Sequence, residues 1–223
     1  MRFGFIKTGA SAEYDEDFME AMASEYERMT PWTRMRLENV RLLVDPQPGD
    51  RVLDIGSAAG AIVHYLSTFG CDPVGVDLSE LGVEKARERF PGLRFEVGDA
   101  ARLPFEDASF DKVVAADVTE HLDDETLRGM LVESRRVLIP GGTLSIHTPN
   151  PLHVIERMKA HDFLLAQNPT HIGLRTSTEL RRELEHAGFT VELDLKQPSF
   201  YPGLRTVERL TGFGYRICIR SRR

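Results

Sequence analysis

Cysteine is scarce, tryptophan nearly absent and long apolar runs missing from this 223-residue chain, which holds two cysteines and one tryptophan. Cys71 and Cys218 stand far apart without metal-type spacing, which argues against a disulfide framework or a cysteine metal site and leaves two reduced thiols as the expectation. The apolar runs, such as 112–116 with its neighbours, fall far short of the roughly 20 residues that a membrane span requires. The opening stretch Met1-Arg-Phe-Gly-Phe-Ile-Lys-Thr-Gly has no apolar stretch of the kind found in a secretory leader. These absences predict a cytoplasmic setting. A surplus of positive charge is missing too: the formal net charge of −7 argues against broad nucleic-acid binding, which draws on Lys and Arg. Only Arg216, Arg220, Arg222 and Arg223 depart from this, a run without an acid that reads as a solvated end or else as an anion-binding edge. Neither repeats nor low-complexity segments interrupt the chain.

What is present suits one α/β domain with decoration, since 41% hydrophobic and 28% charged residues can build a core. Apolar residues at three- and four-residue spacing predict helices over 15–28 and 33–44, parted by Pro31, and these form an N-terminal helical cap over 1–45. A turn rich in Pro and Gly follows at 45–50, and the main domain spans 46–223. From Arg51 the pattern alternates: strands at 51–55, 73–76, 93–97, 111–116 and 143–148, with helices at 59–69, 79–90 and 124–138. Ser79 is placed to cap the second of these helices, and Pro140-Gly141-Gly142 to stop the third. Such alternation predicts an open, doubly wound sheet of parallel strands with right-handed crossovers. The irregular segment 149–175 reads as a substrate-side insertion with a short helix at 152–159. A helix at 178–187 capped by Thr176 or Ser177, strands at 189–195 and 215–220 and a helix at 204–210 complete a seven-stranded sheet with one antiparallel strand at its edge.

In such sheets the ligand lies beyond the carboxyl ends of the strands. The first strand and loop read Val52-Leu-Asp-Ile-Gly-Ser-Ala-Ala-Gly60. Gly56 lets the chain turn off the strand, and Ser57, Ala58 and Gly60 let a ligand approach the backbone. Asp54 can orient the loop or attract a cation. At the end of the second strand Asp77, followed by Leu78, is placed to accept from two ribose hydroxyls. A glycine loop alone is a weak signal; strand, loop, helix, strand and acid within residues 52–77 form a strong one. A dinucleotide loop would carry a second glycine where Ala58 stands, which disfavours a nicotinamide-dependent reductase.

The segment resembles motif I of the class I S-adenosylmethionine-dependent methyltransferases, whose usual form is Asp-x-Gly-x-x-x-Gly. Val97-Gly-Asp-Ala100 is similar to the family's loop after the third strand, which implies that Asp99, beside Ala100, reads the adenine. Pro104–Asp111, Arg136–Leu144 and Glu185–Phe189 resemble the family's stretches around the fourth, fifth and sixth strands. The likeness spans about 38–195 and is nearest the small-molecule methyltransferases related to those of ubiquinone biosynthesis. It implies a Rossmann-like fold, S-adenosylmethionine as cofactor and methyl transfer to an oxygen or nitrogen of a small molecule.

For the chemistry, the fourth strand ends in Ala116-Asp-Val-Thr-Glu-His-Leu122, where acceptor should meet cofactor. Ala116 is expected at the cofactor, and His121 as a general base with Glu120 fixing its tautomer. His171, in an Asn168-Pro-Thr-His171 segment similar to the family's entry to its late helix, joins it as a candidate for proton handling; His153 and His161 rank below it. Asp117, Glu120, His121 and His171 also resemble a Glu-x-x-Glu-His metal site of some relatives, with Asp in place of the first Glu. The reading assigns no metal and keeps metal-assisted O-methylation as an alternative, beside a protein that binds the cofactor without catalysis. Tyr14, Phe18, Tyr26, Met29 and Trp32 resemble a cap closing over the cofactor, or else form a buried stripe. The expected partner is a small-molecule substrate, without nucleic acid or membrane span, and homodimer formation stays open.

Overall fold

The computed structural model describes residues 24, 26–160, 168, 170–199, 203, 206, 208 and 214–223. Tyr14, Phe18, His161 and most of the helices expected over 15–28 and 204–210 lie outside the described residues.

A seven-stranded sheet organises the rest. β1 (Arg51–Ile55), β2 (Asp72–Asp77), β3 (Arg94–Val97), β4 (Phe110–Ala116) and β5 (Leu138–Pro149) are parallel, and β6 (Thr190–Gln197) and β7 (Arg216–Arg222) complete the order β3-β2-β1-β4-β5-β7-β6. The one antiparallel strand, β7, fills the slot between β5 and β6, so it lies one place in from the rim. Arg216, Arg220 and Arg222 belong to this strand, with Arg216 buried, Arg220 half-buried and Arg222 exposed. Arg216 is 5% exposed, and the acids the arginine run lacks in sequence come from elsewhere, Asp117 to Arg216 and Glu192 to Arg222.

Alternation along each strand sends side chains to opposite faces. Leu53, Ile55, Val113 and Ala115 pack on one face with Leu127, Met130 and Leu131 of α4 (Asp124–Val137) and with Leu180 and Leu184 of α6 (Ser177–His186). Val52, Val114 and Ala116 pack on the other with α1 (Pro31–Val44) and with Ile62 and Leu66 of α2 (Ala61–Ser67). α3 (Glu80–Arg89) joins that side through Val83 and Ala86 against Phe95. Thus α1, expected as part of a cap, is a layer of the sheet itself. Leu37, Val40 and Val44 recur at its inner stripe, and Thr30 caps it by accepting from the Thr33 N–H at 3.2 Å.

Local signals place the other ends. Ser79 caps α3, Asp123 caps α4, and Thr176 caps α6 in a reciprocal capping box with Glu179. The Pro-Gly-Gly turn lies within β5 rather than before it, because Leu138 pairs with Phe110 and a register shift separates this from the pairing of Lys112 with Thr143. A short helix, α5 (Val154–Ala160), follows β5. Among the described residues no helix is long and apolar enough to cross a membrane.

Candidate active site

Strand order reverses between β1 and β4, and their carboxyl ends form the crevice of an open α/β sheet. On leaving β1 the chain turns through Gly56 at φ +74°, where a Cβ would collide with the Val118 side chain, so the residue must be glycine. Ala58 is also left-handed, at φ +43°, and is held there because its N–H donates to Asp77 Oδ2 at 2.8 Å. The other oxygen of Asp77 accepts from the Ser79 N–H at 2.8 Å. Asp77 therefore ties the end of β2 to the glycine loop, and its carboxylate has more acceptor sites than these two N–H groups fill. Burial raises its pKa, and the N–H groups of Ser79, Ala58 and Leu78 act in the opposite direction.

Two unusual features sit around this loop. Asp54 is 1% exposed, and among the described residues neither of its carboxylate oxygens has a hydrogen-bond partner; the hydroxyl of buried Ser57 likewise has none there. At the ends of β2 and β3, Leu78 and Val97 present large apolar side chains to solvent, Leu78 at 68%. Asp99 stands exposed nearby, accepting from the Ala101 N–H at 2.8 Å, and Ala100 packs against the core. An apolar edge for a flat ring, a carboxylate with free lone pairs and bare buried polar atoms at the far end fit S-adenosylmethionine. Ala116 is buried, and its carbonyl accepts from Arg36 Nη2 at 3.1 Å.

The acceptor side is built from β4, β5, β7 and the segments after them. Asp117, at φ +60°, accepts from Arg36 Nε at 2.6 Å and Arg216 Nη1 at 2.9 Å, with His147 Nδ1 3.4 Å from Oδ1. Burial pushes its pKa up, but Arg216, His147 and Arg36 outweigh this and hold it well below the usual carboxylate range. The Asn39 amide lies 3.3 Å from His147 Nε2 and can only donate, so the His147 proton sits on Nδ1, facing Asp117. The Arg216 guanidinium also lies over the rings of Trp32 and Tyr215, at 4.2 and 4.8 Å.

Glu120 is 2% exposed and accepts from the Thr148 hydroxyl at 2.9 Å. Burial, reinforced by the Asp117 charge, pushes its pKa up to about 8. His121 Nδ1 lies 3.1 Å from the Thr170 carbonyl, which fixes the proton on Nδ1 and leaves Nε2 as the basic nitrogen. The tautomer is thus set by Thr170, not by Glu120 as the sequence suggested. His171 meets His121 edge to face with ring centroids 5.0 Å apart. Burial lowers both imidazoles, His171 to about 4 with His121 adding to the shift. One ligand atom each from Glu120, His121 and His171 lie within 4.8 Å of one another. Asp117 is not in that group, because its carboxylate faces the two arginines.

What brings these two histidines together is Arg175, 9% exposed. Its Nη1 donates to the carbonyls of Thr119 (2.9 Å) and Gly173 (2.8 Å), and its Nη2 to the Leu122 carbonyl (2.9 Å) and Asp124 (2.7 Å). The Gly173 N–H donates to the Glu120 carbonyl at 2.8 Å, and a Cβ at Gly173 would strike the Leu122 carbonyl. His153, by contrast, is buried and pairs with Glu208 at 2.7 Å. Of the described residues expected in the N-terminal cap, Trp32 reaches Arg216, whereas Tyr26 hydrogen-bonds His64 at 2.9 Å and Met29 is exposed.

Arg36, Asn39, His147 and Arg175 were not singled out by sequence reasoning, and Arg216 was marked only as part of the arginine run.

Residues 53–146 match the Methyltransferase domain family. The chain is 30% identical over 202 residues to the O-methyltransferase resE of Aspergillus sclerotiorum, covering 84% of this chain and 69% of that protein. It is 36% identical over 115 residues to the demethylmenaquinone methyltransferase of Beutenbergia cavernae, covering 52% and 45%. The chain spans about half the length of several curated relatives that it matches. A Haloferax volcanii methyltransferase, solved with the Trm112 methyltransferase activator, shares the fold with a TM-score of 0.70 at 23% identity, covering 92% of this chain and 96% of that one. Together with the glycine loop, Asp77 and the strand order, these matches show that the chain belongs to the class I S-adenosylmethionine-dependent methyltransferases.

Proposed function

We propose that this chain transfers the methyl group of S-adenosylmethionine to an oxygen or nitrogen of a small molecule, releasing S-adenosylhomocysteine. The observation that carries the reading is the position of His121: neutral, oriented by Thr170, and three residues beyond Val118, which packs on the Gly56 turn. The cofactor supplies a methyl group already activated on a sulfonium, so the protein's share is alignment and, for a hydroxyl acceptor, removal of a proton. Asp77 and Asp99 hold the ribose and adenine, and Gly56 to Gly60 back the methionine portion, with Ser57, Ala58 and Leu78 at the same wall. His121 Nε2 accepts the acceptor's proton; burial keeps this imidazole unprotonated at neutral pH. His171, also neutral, stands beside it with an Nδ1 that has no partner among the described residues.

Labelled methyl transfer to a panel of phenols and amines tests this. His121→Ala should slow transfer to a phenol by about 10²–10⁴-fold while the affinity for S-adenosylhomocysteine stays unchanged. Equal rates for wild type and variant would remove His121 from the reaction.

The grouping of Glu120, His121 and His171 supports a second reading, in which a divalent cation acts as Lewis acid on an acceptor hydroxyl. Transfer that falls on adding EDTA and returns with Mg²⁺ or Zn²⁺ would favour it. Transfer unaffected by EDTA favours His121 as the base.

A further inference from the structure

Arg216 is a buried cation with more donors than its neighbours fill. It opens β7 opposite Pro149, at the carboxyl end of β5, and is 5% exposed on the acceptor side of the crevice. Its Nη1 donates to Asp117 at 2.9 Å. Neither Nε nor Nη2 has a hydrogen-bond partner among the described residues, and of these two only Nε is closed off from solvent. A guanidinium carries five N–H donors, and desolvating it without partners is costly. The rings of Trp32 and Tyr215, 4.2 and 4.8 Å away, hold it in place, so little side-chain freedom remains to be lost when a ligand meets Nη2.

The charges around it leave one cation over. Arg36 and Arg216 share the single carboxylate of Asp117. Lys159, the other cation acting on Tyr215 and His171, pairs with Glu156 at 2.8 Å. Glu120 accepts from Thr148, and burial, which pushes its pKa up to about 8, keeps it from balancing Arg216 at neutral pH. The Arg216 charge acts on both Glu120 and His171, so the surplus lies beside the groups that handle the acceptor's proton.

We propose that Arg216 selects acceptors that carry a carboxylate, which Nη2 meets while His121 serves the atom to be methylated. The inference rests on the small-molecule reading and names its substrate class, a phenol or amine bearing one carboxylate. One surplus charge and one open nitrogen match a monoanion, whereas a doubly charged phosphate would bring a charge that nothing here pairs.

Calorimetric titration of the full chain, saturated with S-adenosylhomocysteine, tests this with benzoate, 3-hydroxybenzoate and indole-3-acetate, each beside its primary amide. Wild type should bind at least one of the acids about tenfold to a hundredfold more tightly than its amide. Arg216→Met keeps the stem and leaves Asp117 paired with Arg36, and should bring that acid and its amide within about threefold of each other. A residue that only builds the site would, when replaced, weaken acid and amide alike and leave their ratio as it was. Acids bound no more tightly than their amides, or not at all, would overturn the inference, as would an unchanged ratio in Arg216→Met; the small-molecule reading would still stand on transfer to phenols and amines. A loss of about tenfold in S-adenosylhomocysteine affinity in Arg216→Met would give Nη2 to the cofactor's own carboxylate and also overturn it. Absence of S-adenosylhomocysteine binding by wild type would overturn both readings. If Arg216→Met does not fold, Lys159→Gln decides: a preference for acids that persists there supports Arg216, and one that vanishes there contradicts the proposal.

Discussion

Arg216 Nη1 lies 2.9 Å from Asp117 Oδ1, joining residues 99 positions apart and binding β7 to the end of β4. Arg36 closes on the other oxygen, so one carboxylate holds two guanidiniums in a largely buried place. Removing it strands both. Asp117→Asn should destabilise the fold at pH 7 by about 3–5 kcal/mol, read from urea unfolding. The sign of the pH dependence follows from the depressed pKa: the stabilisation is present above the unfolded carboxylate's titration near pH 4 and is lost as pH falls through the folded value. The gap between wild type and Asp117→Asn should therefore narrow below pH 4. A gap independent of pH would show that Asp117 is not ionised in the folded protein.

Glu120 behaves oppositely. Its folded pKa, about 8, lies above the unfolded value, so stability is full below about pH 4 and declines as pH rises toward 8 and the buried carboxyl is forced to ionise. Glu120→Gln keeps a hydrogen-bonding group without the charge. Its stability relative to wild type should increase steadily from pH 5 to pH 8, reaching on the order of a few kcal/mol. A constant difference across that range would contradict the assignment.

Arg175 satisfies four acceptors at once and fixes the turn that carries His121 to the segment that carries His171. Arg175→Lys cannot reach all four with one ammonium. Methyl transfer should fall by about tenfold to a hundredfold, with affinity for S-adenosylhomocysteine within about threefold of wild type, because the glycine loop and Asp77 are untouched. Loss of cofactor binding in this variant would mean that the clamp holds the cofactor wall rather than the histidines.

How much of this was legible in the sequence follows from range. Periodicity and capping residues are local, so Ser79 and Thr176 marked their helices, and the glycine loop and Asp77 fell within one strand–helix–strand unit. His121 could be singled out because it follows directly from the fourth strand. The register of β7 was not readable: nothing local says that Arg216 stands opposite Pro149 and beside Asp117. Arg36 and Asn39 sit on an ordinary amphipathic helix, and their roles appear only once α1 lies across β4 and β5. For the same reason the spacing from Asp117 to His121 did not show which of its members meet: Glu120, His121 and His171 come together, whereas the partners of Asp117 come from positions 36 and 216.

The central claim is that Asp77 and the glycine loop hold S-adenosylmethionine. Calorimetry with S-adenosylhomocysteine tests it most directly, comparing wild type with Asp77→Ala at pH 8. The account predicts saturable one-to-one binding by wild type and an affinity at least tenfold weaker in the variant, whose lost carboxylate frees both the ribose contacts and the Ala58 turn. Equal affinity in the two proteins, or binding of NADH in preference to S-adenosylhomocysteine, would contradict it.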